Sequence, residues 1–112
     1  MDFKITSRLA AELFNVQGYA DNYKAAAIEK KIKECKLATQ VTMCDCVEDV
    51  AIEGATLISD ETFEDIRINV MYAYASGKLY ITLVRNVMYG DVVKIVLRPD
   101  GIAEYALTQI PF

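Results

Sequence analysis

The spacing of apolar residues changes near the middle of the chain. Before Lys36 they recur three and four positions apart, and beyond Ile66 they alternate with polar ones. The first spacing places side chains on one stripe of a helix and the second on one face of a strand. In the helical part, Thr6 or Ser7 can cap a run carrying Leu9, Ala10, Leu13 and Phe14, and Gly18 is placed to end it. A first helix is expected over about 6–17. Asp21 can cap a second, over about 21–36, with the stripe Ala25, Ile28, Ile32 and Cys35. Lys30, Lys31, Lys33 and Lys36 crowd its last turns, where the helix dipole favours positive charge, so they read as a solvated helix end rather than a binding patch.

In the second half, Ile66, Ile68, Val70, Tyr72 and Tyr74 share one face of a strand, and Leu79, Ile81 and Leu83 follow Ser76-Gly77. A two-residue turn there pairs Tyr74 with Leu79, Tyr72 with Ile81 and Val70 with Leu83. A second hairpin closes at Pro99-Asp100-Gly101. A three-residue loop with Gly101 left-handed sets Val93 opposite Leu107, Ile95 opposite Tyr105 and Leu97 opposite Ala103, whereas a two-residue loop would set Ile95 opposite Glu104. Tyr89-Gly90-Asp91 is expected to turn the chain between the hairpins, with Leu83 facing Leu97. Gln40–Cys44 and Ala55–Ile58 look like short strands, and Val47–Glu53 fits helix and strand equally. The expected fold is α+β, two N-terminal helices packed on an antiparallel sheet of four to five strands built from hairpins. No Pro-, Gly- or Ser-rich linker divides the chain, so residues 1–112 form one domain, with hairpin strands over 63–109.

Charge adds one feature to this picture. Residues 37–66 contain no Lys or Arg and carry Asp45, Glu48, Asp49, Glu53, Asp60, Glu61, Glu64 and Asp65, a local charge of −8 inside a chain of net charge −4. The segments before and after it are each +2. Such a belt can meet a basic partner or stay hydrated. A sequence pI near 4.8 argues against direct nucleic-acid binding, which needs cations to displace counterions from phosphates. The N-terminus lacks the apolar run of a signal peptide, and three cysteines suit reduced thiols better than a disulfide framework, so a cytosolic protein is expected.

The chain contains no histidine, which removes Ser-His and Cys-His nucleophiles and the commonest general base. Ser76-Gly77-Lys78 lacks the upstream glycine of a phosphate loop and sits at a hairpin turn. Cys44-Asp45-Cys46 with Cys35 offers three thiols where a closed structural zinc site takes four ligands, so neither metal nor cofactor is expected. Paired carboxylates for glycosidase work would need a cleft and a sugar platform, and the chain has no Trp. An enzyme is not expected.

The sheet face turned away from the predicted core holds the remaining signal. Arg67, Asn69, Met71, Tyr80, Thr82, Asn86 and Met88 lie on it, and Asn-Val-Met-Tyr occurs twice, at 69–72 and 86–89. A face left to water is normally more polar, and Met and Tyr flanked by Arg and Asn suit an interface. Either a partner covers it or the acidic segment folds over it as a third layer. Arg85 is expected on the core side beside Ile68 and Ile95, where it snorkels to the edge or binds an anion. The leading reading is an interaction module that self-associates through this face. The alternatives are an acidic inhibitor of the anti-CRISPR kind, whose belt occupies the basic groove of a nucleic-acid-handling protein, and an oligomeric binder of a small anionic ligand using Arg67, Arg85 and Tyr80. A homo-oligomer is the expected partner, with a basic protein surface second and no membrane.

Overall fold

A computed structural model of the chain describes residues 28–30, 32–34, 36–49, 54–63, 66–85 and 89–111. They form one six-stranded sheet of β1 (Gln40–Met43), β2 (Ala55–Phe63), β3 (Ile66–Ala73), β4 (Lys78–Arg85), β5 (Tyr89–Leu97) and β6 (Ile102–Pro111). The strand order is β1-β6-β5-β4-β3-β2. Neighbours from β2 to β6 are antiparallel, and β1 joins β6 in parallel. The expectation of two helices on an antiparallel sheet of four to five strands is therefore wrong. The sheet is mixed and six-stranded, and a single short helix accompanies it among the described residues. The expected helix over 6–17 lies outside them.

Both outer strands come from the acidic belt, at the short strands expected over Gln40–Cys44 and Ala55–Ile58. β2 runs on to Phe63, through Asp60, Glu61 and Thr62, which hide its alternation. A parallel β1 also has no hairpin turn to announce it, because a parallel pairing needs a long crossover.

The helical residues 28–30 and 32–34 lie on one face of the sheet. Ile28 and Ile32, 1% and 0% exposed, pack with Ile68, Val70, Leu79, Ile81, Leu83, Val93, Ile95, Leu97, Ala103 and Tyr105 to make the core. The expected stripe is right at these two positions, while Ala25 and Cys35 lie outside the described residues. The helix ends earlier than 36, and its end has a clear cause. Leu37 N–H donates to the Ile32 carbonyl at 3.1 Å and Lys36 N–H to the Lys33 carbonyl at 3.0 Å, with Lys36 at φ 57°. These are the two bonds of a Schellman cap, with lysine at the left-handed position that glycine usually takes. Leu37 then turns back against the core, and Thr39 and Gln40 both donate to the Gly101 carbonyl, which starts β1 alongside β6.

The β5–β6 hairpin has the expected register, Val93 with Leu107, Ile95 with Tyr105 and Leu97 with Ala103, and Gly101 is left-handed at φ 87°. The β3–β4 hairpin differs. Ala73 pairs with Lys78, Tyr72 with Leu79, Val70 with Ile81 and Ile68 with Leu83, two residues from the expected register. The turn takes four residues, 74–77, closed by a 2.8 Å bond from Gly77 N–H to the Ala73 carbonyl, with Gly77 at φ 71°. A slip of two keeps every side chain on its face, so the core is as expected while Tyr74 moves out of the ladder and is 67% exposed. Its ring meets Tyr72 edge-on at 4.8 Å.

The link between hairpins also differs. Tyr89, Gly90 and Asp91 belong to β5 rather than to a turn, so Leu83 pairs with Val93 and Leu79 with Leu97. Arg85 accordingly pairs through its backbone with Ile66 and Asp91, not beside Ile68 and Ile95. Its side chain, like Asn86 and Met88, lies outside the described residues.

Candidate functional site

The outer face of the sheet, opposite the helix, is where the predicted interface residues and the acidic belt meet. Period two along β3 and β4 puts Arg67, Asn69, Met71, Tyr80 and Thr82 on this face, in the pairs Asn69–Thr82 and Met71–Tyr80. Asn69, Met71, Tyr80 and Thr82 are each half-buried. The pairs extend into a row across four strands, Leu57 of β2, Met71 of β3, Tyr80 of β4 and Val96 of β5. Exposure falls along this row, from 54% at Leu57 to 2% at Val96.

A burial of 2% on an outward face requires a cover, and the acidic belt supplies it. β1 and β2 lie at opposite edges of the sheet, and the described part of the chain between them, up to Asp49, runs onto the outer face. Cys44 N–H still donates to the Tyr105 carbonyl at 2.8 Å. Beyond it Val47, Glu48 and Asp49 lie over Tyr80, Thr82, Lys94 and Val96, enclosing a cleft of about 80 Å³. Small-molecule sites run to roughly 300–1,000 Å³, so the cleft has room for a few waters and not for a substrate.

Two ion pairs join this crossing strap to the sheet. Lys78 Nζ donates to Glu48 Oε1 at 2.6 Å and Lys94 Nζ to Asp49 Oδ1 at 2.9 Å. The hydrogen bond to Glu48 raises the Lys78 pKa above its ordinary value. A third carboxylate of the belt is engaged nearby. The Arg67 guanidinium forks onto Asp60, with Nε–Oδ1 at 3.1 Å and Nη2–Oδ2 at 3.0 Å, which holds the Asp60 carboxyl below its usual range. This pairing depends on a β-bulge. The β2–β3 register shifts between Leu57 and Ser59, so Ile58 is an extra residue turned to the core and Asp60, which strict alternation from Leu57 would send to the core side, comes out beside Asn69. The Ser59 hydroxyl is left buried with no hydrogen-bond partner among the described residues.

Of the other belt residues, Asp45 and Glu61 are exposed and have no ion-pair partner among the described residues, and Glu53, Glu64 and Asp65 lie outside them. The belt is thus not one open ridge. Arg67, a candidate for anion binding, is occupied by Asp60. Alternation alone places Lys94 on this face without its carboxylate partner, and leaves Lys78 beside a turn. The signal for Lys78 is its spacing of two from Tyr80.

Two further groups lie away from this face. On the core side, the Tyr105 hydroxyl donates to Glu29 Oε1 at 2.6 Å, a link from β6 to the helix. Burial first, and this bond second, raise the phenol pKa far above its ordinary value. At the β5–β6 turn, Arg98 spans Glu104 at 3.1 Å and Asp100 at 2.5 Å. Cys44 and Cys46 are free thiols. Partial burial, with the carboxylates of Glu104 and Asp45 nearby, raises the Cys44 pKa. Among the described residues no group of three or more Cys, Asp or Glu is arranged to hold a metal, and no helix is long and apolar enough to cross a membrane. No protein-family model, curated protein or solved structure matches the chain.

Proposed function

We propose that this protein is a non-catalytic interaction module that self-associates through the outer face at the β2–β3 edge. The observation that carries the reading is the apolar row leaving the cover of the strap. Leu57, 54% exposed, stands beside the half-buried Met71, and Ala55 beside Ala73 continues the patch toward the turn. A contiguous apolar patch at a sheet edge, rimmed by the Arg67–Asp60 pair and Thr62, has the composition of an interface centre with a polar rim. Closed two-fold pairing is the commonest way a chain covers such a patch with its own copy.

The inhibitor reading ranks second. Glu48, Asp49 and Asp60 already serve Lys78, Lys94 and Arg67, which leaves Asp45 and Glu61 as the described carboxylates free to meet a basic groove. Light scattering across a dilution series tests the leading reading. The wild-type chain is expected to dimerise at micromolar concentration, and Leu57→Ser with Met71→Ser to be monomeric with an unchanged circular dichroism spectrum. A wild-type chain that stays monomeric at several hundred micromolar overturns it.

A further inference from the structure

The strap is held to the sheet in a way that differs from every strand. After the Cys44 amide, no backbone hydrogen bond among the described residues joins 45–49 to the ladder. Among the described residues, the strap is joined to the sheet by Val47, which lines one cleft with Val96, and by two ion pairs whose partners reach water: Lys78 and Glu48 at 28% and 49% exposure, Lys94 and Asp49 at 42% and 85%. Exposed pairs of this kind contribute little and are screened by salt. The cleft of about 80 Å³ beneath shows that the apolar contact is not close-packed. Segments with few buried contacts and no ladder bonds open at low free energy.

What lies beneath is specific. Lifting 45–49 uncovers Tyr80 and Val96, which continue the Leu57–Met71 row inward, and leaves the Lys78 and Lys94 ammonium groups without their carboxylates. A surface with an apolar centre and two lysines is complementary to an apolar residue followed by two acids, and Val47-Glu48-Asp49 is such a segment. A second copy of the chain carries it.

We propose that residues 45–49 are a latch that closes the outer face in cis and exchanges between copies on association, Glu48 and Asp49 of each protomer pairing with Lys78 and Lys94 of the other. This rests on the self-association reading above and names its contact. The exchange is reciprocal, so it closes as a two-fold dimer rather than propagating. It uses the same ion pairs in monomer and dimer, and the gain comes from the Leu57–Met71 row buried alongside.

Charge exchange tests it. Variant A carries Glu48→Lys and Asp49→Lys, and variant B carries Lys78→Glu and Lys94→Glu. Each alone sets like charges between strap and face both in cis and in trans, and each is expected to associate more weakly than the wild type. Mixed, the acidic strap of B meets the lysines of A, and the basic strap of A meets the glutamates of B. Sedimentation is expected to give a hetero-dimer roughly tenfold tighter than either homodimer, an effect in the range of close charge pairs at interfaces. The variant with all four changes restores complementarity within one chain. It is expected to fold and self-associate like the wild type, yet not to form mixed dimers with it, and this outcome remains decisive if A or B fails to fold.

If the wild type dimerises and the Leu57→Ser/Met71→Ser variant does not, but A and B fail to rescue each other, the latch is wrong and the association face stands. Free mixing of the four-change variant with the wild type likewise rejects the latch and leaves the face. Dimers from A and B together, with a monomeric wild type, would uphold the exchange and reject the wild-type function.

Discussion

Tyr105→Phe is the most informative single change to the core. The ring is fully buried at 0% exposure, so phenylalanine keeps its packing and removes only the hydroxyl that donates to Glu29 at 2.6 Å. A hydrogen bond to a charged acceptor is worth about 1.5–3 kcal/mol, and the half-buried Glu29 recovers part of that from water, so a loss of about 1–2 kcal/mol is expected. Urea unfolding at pH 7 reads it as a lower midpoint with an unchanged slope. The pH dependence provides a second signature. The phenol pKa is raised in the folded state, so the native chain holds its proton where the unfolded chain loses it. The stabilisation is therefore complete below about pH 10, the unfolded value, and declines as pH rises above it. The difference between wild type and variant should shrink between about pH 10 and 11. The other tyrosines are common to both chains and cancel. A variant as stable as the wild type at pH 7 would refute the assignment of this bond to stability, and a difference that does not change above pH 10 would refute the raised phenol pKa that burial and the bond together produce.

Ile32→Ala is expected to cost about 2–5 kcal/mol, because the side chain is 0% exposed in the centre of the core and its loss leaves a cavity; calorimetry gives the value. Gly101→Ala should cost more than Gly54→Ala. Both sit at positive φ, 87° and 80°, but a Cβ at 101 would stand 3.2 Å from Thr39 Oγ1 whereas one at 54 meets open space, so the first is expected to exceed the strain of about 1–2 kcal/mol common to both and the second to match it in thermal unfolding. Iodoacetamide at pH 8 should label the exposed Cys46 before Cys44, whose thiol is half-buried with a raised pKa; peptide mass spectrometry of a time course reads the order.

Apart from Tyr74, the period of two is sufficient to put the apolar residues of 68–83 and 93–105 on the core face, because strand alternation leaves only two choices and the apolar set selects one. It also locates the β5–β6 loop, since Gly101 and the positions of Ile95 and Tyr105 allow only one in-phase pairing. The β3–β4 register departs from expectation by two residues for the same reason: a slip of two preserves both faces, and the alternation is blind to it. The core partners Ile28 and Ile32 are legible from their helical spacing.

Three things were decided only in three dimensions. The parallel pairing of β1 with β6 sets Gln40 beside Ile102 with no turn between them, and a four-residue strand carries no period of its own. The bulge at Ile58 changes the phase of β2 within the strand, bringing Asp60 beside Arg67 against the alternation. The placement of the belt follows from the strand order: β1 and β2 lie at opposite edges, and residues 47–49 run onto the face whose lysines they neutralise. The charges that pair at this crossing are present in the sequence, but a net charge per segment has no direction. Only the tertiary structure determined which cations the carboxylates would meet and how much of the apolar row would stay open.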